Sequence, residues 1–400
     1  MHDHSHPMLA ERLSKGQNSF NLLRLVAALS VMVSHSVLIF HGPGTPQPLS
    51  QWTPFTIGQH AVNVFFVISG LMLAGSLDRN PNLGAFTRGR LLRIFPGLFA
   101  ASLVVTFLLG PIATRLGLTA YLEDPRTLAY PLAVLVRFSD VAPAELFKNL
   151  PYGFAANLPL WTIPYEIAAY CGLATLFATG LLRRPAVTLG LLALSAAAHT
   201  GAAHWGGTPG LSAEASHGFA VLGNVSRFST CFLLGVAFYQ YRTRISLRVL
   251  WLAPLGISML ALELSPFAHL AAIALVGYAT ILFGTRSYGS LGRWTEQTDV
   301  SYGTYLYGWP IQQTLLFLCP GIGIVVHTLA SAALAILVGL ASWKFVEQPA
   351  LSLKKGGALG YLRRAPNTGL LSTQDLVASG HGSEICDLTG GLPGNLRRAA

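Results

Sequence analysis

The sequence predicts an all-α integral membrane protein of about ten transmembrane helices, with both termini cytoplasmic. Three observations lead there. Of the 400 residues, 52% are hydrophobic and 10% are charged, whereas a soluble domain of this size carries about 25% charged residues. The apolar residues gather into ten runs close to the roughly 20 residues that cross a bilayer. Connecting segments alternate between basic and nearly uncharged, the pattern expected when cytoplasmic loops accumulate Lys and Arg.

The runs are 20–40, 58–77, 91–112, 158–182, 185–203, 219–241, 247–264, 266–284, 302–319 and 323–345. The first stays as an anchor, because it exceeds a signal peptide's apolar core and lacks a small-residue cleavage site. Between the second and third stand Arg79, Arg88, Arg90 and Arg93. Arg183 and Arg184 precede the fifth, Arg242, Arg244 and Arg248 follow the sixth, and Arg286 and Arg293 precede the ninth. With Arg12, Lys15 and the seven basic residues from Lys344 onward, 20 of the 26 basic residues fall on one side. The opposite segments 41–57 and 204–216, and the tight connections near 265 and 321, carry none. In the loop 113–157, Arg115, Arg126, Arg137 and Lys148 are offset by Glu123, Asp124, Asp140 and Glu145. Its TLAYPLAVLVRF is too short to span and is expected to lie on or dip into the outer surface. The formal charge of +10 is therefore a topology signal and gives no reason for nucleic-acid binding.

The domain organisation follows: a cytoplasmic tail over 1–19, one membrane domain over 20–350, and a polar, Gly-rich cytoplasmic tail over 351–400, expected to be disordered. The histidines of MHDHSH read as a mobile terminus and are assigned no metal. Cys171, Cys231, Cys319 and Cys386 have no metal-like spacing and form no disulfide framework.

Ionisable groups inside spans are expensive and usually functional. Arg24 and His35 lie eleven residues apart on the first run, on one helix face and about 16 Å apart along the axis. Glu166, counted inward from the interfacial Trp161 on the fourth run, reaches the depth of His35 counted from the same side. A carboxylate there can orient an imidazole and raise its basicity for general-base work; the same residues also fit a plain helix-to-helix hydrogen bond. Arg227 is a third charge in the outer half, able to neutralise Glu166 or to stabilise an oxyanion. At the inner edge, Arg88, Arg90 and Arg93 with Arg24 suit a phosphate-rich ligand, and equally suit lipid headgroups.

From Phe20 to Pro349 the chain resembles the acyltransferase 3 family of multi-pass bacterial membrane acyltransferases. The resemblance rests on Arg24 and His35, NVFFVISG ending at Ser69 and Gly70, RLLR of Arg90 and Arg93 followed by IFP, LWTIPYEIAAY with Trp161 and Glu166, DVSYGTYLYGWP from Asp299 to Pro310, and WKFVEQP ending at Pro349. Six motifs in the family's order are specific together.

The resemblance implies transfer of an acyl group, acetyl foremost, from acyl-CoA to a hydroxyl of a cell-surface or exported carbohydrate, in the bacterial inner membrane. It implies His35 as the catalytic histidine and Arg24, Arg90 and Arg93 as acyl-CoA ligands, with acyl-CoA a donor substrate and no permanently bound cofactor. Expected partners are the carbohydrate or glycolipid acceptor, membrane lipid and polysaccharide-assembly proteins. Gly70 reads as a helix-packing residue, and the loop 113–157 as the segment that selects the acceptor. Many relatives carry a histidine where this chain has Gly308, so any role of that histidine is absent here or falls to Tyr305, Tyr307 or Gln312. The alternative class is a transporter or flippase of a lipid-linked sugar, which would call for paired inverted repeats; the sequence has no such symmetry.

Overall fold

Each of the ten apolar runs contains helix. The computed structural model describes residues 7–14, 18–153, 155–262 and 265–355, and among these there is no strand beyond two isolated bridge pairs. Helix α1 is Phe20–His41, α2 is Ile57–Arg79 and α3 is Leu83–Val104. A π-helical turn, Val105–Leu109, carries α3 on to Gly110–Ala113. Helix α4, Pro125–Arg137, belongs to the 113–157 loop, and α5 is Ile163–Ala178. Next come α6, Pro185–Trp205, and α7, Ala213–Gln240. They are followed by α8, Leu252–Ala261, α9, Ala268–Gly284, and α10, Gly289–Gln297. Helix α11 is Ser301–Leu318 and α12 is Ile324–Ser342, continued by a π-helical turn, Trp343–Glu347, and Gln348–Ser352. The MHDHSH terminus, Cys386 and the tail over 356–400 lie outside the described residues.

By length and composition, six of these helices can cross a membrane, or seven if α9 and α10, bent by 98° at their break, form one span. The other expected spans are α5, α8, α9 and α11. The run at α5 is broken because Leu158–Thr162 winds as a 3-10 turn before the α-helix begins. Helix α11 fails on apolarity for a different reason: it is encased. Its Ser301, Thr304, Gln312, Gln313 and Thr314 are all buried, and a helix that faces protein on most sides does not need an apolar surface against lipid.

Two close helix crossings hold the bundle. A Cβ on Gly70 of α2 would stand 1.9 Å from the Phe232 carbonyl oxygen of α7, and one on Gly235 of α7 would stand 2.1 Å from the Val67 carbonyl oxygen of α2. The two backbones touch, the packing that small residues permit between membrane helices. Gly303 of α11 meets Gly339 of α12 in the same way, at 2.7 Å from its Cα.

The 113–157 loop is tied to α11 where Pro310 interrupts the helical hydrogen bonds. Proline has no N–H to offer the carbonyl four residues earlier, and the Leu306 carbonyl accepts instead from the Asn157 amide at 2.9 Å. Trp309 and Gln313 donate to the Ala155 and Tyr152 carbonyls at 3.1 and 2.6 Å. Further out, α4 buries Thr127, Tyr130, Pro131 and Val134 and leaves Leu128, Leu132 and Val136 exposed at four-residue spacing. An apolar stripe on the outer side of a surface helix suits contact with lipid.

Gly70→Ala is expected to cost about 1–3 kcal/mol through overpacking. Gly172→Ala, where a Cβ meets nothing within 4 Å, should be neutral or stabilising by about 0.5–1 kcal/mol. Thermal unfolding of the detergent-purified variants measures both, and equal behaviour would remove the crossing as a determinant.

Candidate active site

Asp299 precedes α11 and receives two guanidinium groups. Arg93 of α3 reaches its Oδ2 at 2.6 Å and Arg24 of α1 reaches the same oxygen at 3.4 Å. Its other oxygen accepts from the Ser301 hydroxyl at 2.6 Å and the Ser301 N–H at 3.3 Å. Burial alone would raise the Asp299 carboxyl; the Arg93 and Arg24 charges and the Ser301 hydrogen bonds outweigh it and hold the group below the usual carboxylate range.

On the other side of Arg93, Nη1 lies 3.5 Å from Glu347 Oε2, and Glu347 Oε1 accepts from the Ser342 hydroxyl at 3.0 Å. Ser342 and Glu347 are five residues apart, a spacing that faces outward on different sides of an α-helix and comes together in a π-helical turn. Helices α1, α3, α11 and α12 are thus joined through buried charge.

Three cavities adjoin along α1. The inner one, about 230 Å³, is lined by Arg24, Arg79, Arg90 and Arg93 with Ser69 and Tyr170. The middle one, about 50 Å³, shares Arg24, Ser69 and Arg93 with it and adds Glu166, Tyr302 and Tyr305. The outer one, about 170 Å³, shares Val62 and Tyr305 with the middle one and contains His35, Arg227, Trp161, Gln47 and Gln59. The smallest cavity therefore stands as a neck between the two larger ones, with Tyr305 on the wall it shares with the outer one. The Tyr305 hydroxyl contacts the Pro159 carbonyl and the Thr162 hydroxyl, both at 2.8 Å, and this fixes the neck.

His35 packs edge-on against Trp309, with ring centroids 5.0 Å apart at 86°. Its ring nitrogens take no hydrogen bond from the described residues, so the outer cavity is where they can find a partner. Trp309 is fully buried and is held by its bond to the Ala155 carbonyl. Gly308 leaves space that Met32 fills: a Cβ there would lie 3.1 Å from the Met32 Sδ. Gln312 donates to the Met32 carbonyl at 3.0 Å and to the Ser36 hydroxyl at 2.7 Å, so the space beside Gly308 is closed by methionine and braced by Gln312.

Glu166 does not pair with His35. The Tyr170 hydroxyl, one turn along α5, donates to the Glu166 carboxylate, which lines the middle cavity, while His35 lines the outer one. The expected match in depth is not what the structure has: Glu166 stands one cavity further in, beside Arg24 and Arg93, with Tyr305 on the wall between the two cavities. Arg227 forms no ion pair with Glu166 either; its hydrogen-bond partner among the described residues is Asn224 Oδ1 at 3.3 Å. Arg88 is exposed and lines none of these cavities. Arg79 takes its place among the inner arginines. Arg90 lies over the Tyr170 ring at 5.9 Å and its Nε has no hydrogen-bond partner.

Asp299, Glu347, Trp309 and Arg79 carry parts of the site to which sequence reasoning gave no role, and Tyr305, named there only as a substitute for an absent histidine, stands between two cavities. Asp299, Tyr305 and Trp309 lie within DVSYGTYLYGWP and Glu347 within WKFVEQP, so the signal was the motif itself. Their partners are invisible in the order of residues: Arg93 and Asp299 are 206 positions apart.

Membrane-length helices around an arginine-lined cavity and, beyond a smaller one, a histidine-lined cavity point to a polytopic membrane protein with a row of internal cavities. Residues 17–343 match the family described as an acyltransferase domain. The chain belongs to this acyltransferase 3 family and is an acyltransferase. It is similar to an O-acetyl transferase of Shigella phage Sf6, 26% identical over 351 residues, which cover 83% of this chain and 95% of the relative. It is also similar to nodulation protein 10 of Rhizobium leguminosarum bv. viciae, 28% identical over 378 residues, covering 86% and 96%. No solved structure matches significantly.

Asp299→Asn leaves two guanidiniums short of a counter-ion and is expected to cost about 3–5 kcal/mol of stability. Glu347→Gln should cost less, because Arg93 keeps Asp299. Thermal unfolding of both variants tests this, and an Asp299→Asn protein as stable as the parent would show that the charges do not hold the bundle.

Proposed function

We propose that this chain transfers an acyl group, acetyl in the first instance, from acyl-CoA to a hydroxyl of a cell-surface or exported carbohydrate, in the bacterial inner membrane. The observation that carries the reading is the series of adjoining cavities from Arg79 and Arg90 through the neck at Tyr305 to His35. A donor with a phosphate-rich head and a long thin arm suits such a series. The head occupies the inner chamber, where guanidinium forks match phosphate oxygens, and the arm passes the neck.

Of the inner arginines, Arg93 is engaged by Asp299 and Glu347, and Arg24 by Asp299. Arg79 and Arg90 form no ion pair among the described residues, so they carry the phosphates, while Arg24 and Arg93 shape the chamber and set its positive potential. Glu166 lies on the arm's route and balances this potential while it fixes Tyr170.

In the outer chamber, an acceptor hydroxyl gives its proton to a ring nitrogen of His35. Its oxygen forms a bond to the thioester carbonyl carbon, the carbon–sulfur bond breaks, and the proton returns from His35 to the departing thiolate, which leaves as CoA thiol. Trp309 keeps the imidazole in place for both proton transfers. Trp161 with Gln47, Gln59 and Ser34 gives the chamber an aromatic face and side-chain amides, a lining that suits a sugar. The name of the phage relative, an O-acetyl transferase, supports a hydroxyl acceptor and an acetyl donor. The loop 113–157, tied to α11 beside Trp309, frames the acceptor's approach.

His35→Ala and His35→Gln should lower transfer by about 100-fold to 10,000-fold in protein that is still folded and membrane-inserted. Mass spectrometry of acyl-CoA turnover and glycan products reads the loss, and near-normal transfer by either variant would end the assignment. Replacing Arg79 and Arg90 with Gln should raise KM for acyl-CoA far more than KM for the acceptor, with Lys restoring only part of it. An equal rise for both substrates would place the phosphates elsewhere.

A further inference from the structure

Arg227 lies within α7, is 2% exposed, and lines the outer chamber together with His35. Its guanidinium stacks on Phe228 at 4.5 Å and on Phe55 at 5.3 Å. Its hydrogen bond goes to the neutral amide oxygen of Asn224, and its Nε has no partner. No carboxylate pairs with it among the described residues. The other titratable groups beside it are the Cys231 thiol and the Tyr165 phenol, ordinarily neutral, and the imidazoles of His60, His199 and His269 grouped around Phe55, which can add positive charge and never negative.

Arg93 makes the contrast. There the chain provides two carboxylates for one buried guanidinium. A buried charge without its counter-charge is strongly unfavourable, and two stacked aromatic rings compensate only part of that. The missing negative charge at Arg227 can come from whatever fills the chamber. An oxyanion that exists only in the transition state would leave the guanidinium unpaired for the rest of the cycle, whereas a ligand with a permanent anionic group would pair it on binding. Gln47, Gln59, Ser34 and Trp161 on the same walls suit the hydroxyls and ring face of a sugar.

We propose that the outer chamber binds an anionic sugar, whose carboxylate or phosphate ester pairs with Arg227 while a hydroxyl of the same sugar reaches His35. The proposal rests on the reading of this chamber as the acceptor side and goes further by naming the acceptor's chemical class.

The test is a binding measurement on the purified full-length protein without acyl-CoA, so it does not depend on transfer. The unfolding temperature is followed against glucuronate, glucose 1-phosphate, methyl glucoside and inorganic phosphate. An anionic sugar should stabilise the protein at concentrations where methyl glucoside and inorganic phosphate do not. Glucuronate against glucose 1-phosphate distinguishes a carboxylate from a phosphate ester. Arg227→Gln should weaken the apparent affinity by about 10-fold to 100-fold, the range expected for a lost charge-assisted hydrogen bond, and Arg227→Lys should retain part of it. Gly172→Ala, where a Cβ meets nothing within 4 Å and which lines none of the three cavities, should bind as the parent does.

Stabilisation by methyl glucoside equal to that by the anions, no stabilisation by either anionic sugar, or a shift that survives Arg227→Gln would overturn the proposal. A shift that disappears on replacement of Arg79 and Arg90 with Gln would do so too, by placing the anion in the inner chamber. Absence of acyl transfer in a protein that passes this test would count against the proposed reaction and leave the anion site standing.

Discussion

The shared carboxylate of Asp299 is the constraint on which the inner half of the bundle depends. Arg24 and Arg93 enter from α1 and α3, and like charges at such separation repel unless an anion lies between them. Asp299 supplies that anion from the start of α11, and Glu347 adds a second from the π-helical turn after α12. Buried ion pairs contribute little net stability compared with apolar packing, but breaking one is costly. The network therefore acts as a set of fixed positions: it holds four helices at one level and keeps arginines facing the cavities, where an all-apolar contact would have closed the space.

Charge is then distributed unequally along α1. In the inner chamber, two of the four arginines are balanced by carboxylates of the chain, and Arg79 and Arg90 have none among the described residues. In the outer chamber, the contacts of the Arg227 guanidinium among the described residues are an amide oxygen and two aromatic rings. The cations left without an internal counter-ion sit at both ends of the cavity series, and the neck between them carries Tyr305 and the Glu166 carboxylate with its Tyr170 partner. An arrangement of this kind favours anionic groups at the two ends and a neutral group between them, which is how a thioester would be presented to His35.

Much of the architecture was legible in the sequence because hydrophobic periodicity and run length are local properties. The positions of all ten helical runs, the shared face of Arg24 and His35, and the packing role of Gly70 follow from spacing along one segment. The count of spans does not: α11 is polar because it is encased, and α5 starts late because Leu158–Thr162 winds more tightly. Counting residues inward from Trp161 did not fix where Glu166 stands, because its carboxylate lies one cavity further in than His35, on the side of Arg24 and Arg93. Partners separated by most of the chain, such as Arg93 with Asp299, leave no local trace. The arginine run at α3 likewise could not reveal that Arg88 points away and that Arg79, from the end of the preceding helix, completes the inner chamber.

The central claim is that donor and acceptor meet across the membrane, from opposite ends of one series of cavities. It is tested most directly with the protein reconstituted in one orientation in sealed vesicles, acetyl-CoA on one side and a carbohydrate acceptor on the other. Acetylated product should form when acetyl-CoA is on the side of Arg79 and Arg90 and the acceptor is on the side of Arg227. Product formed only when both substrates share one side would contradict the account.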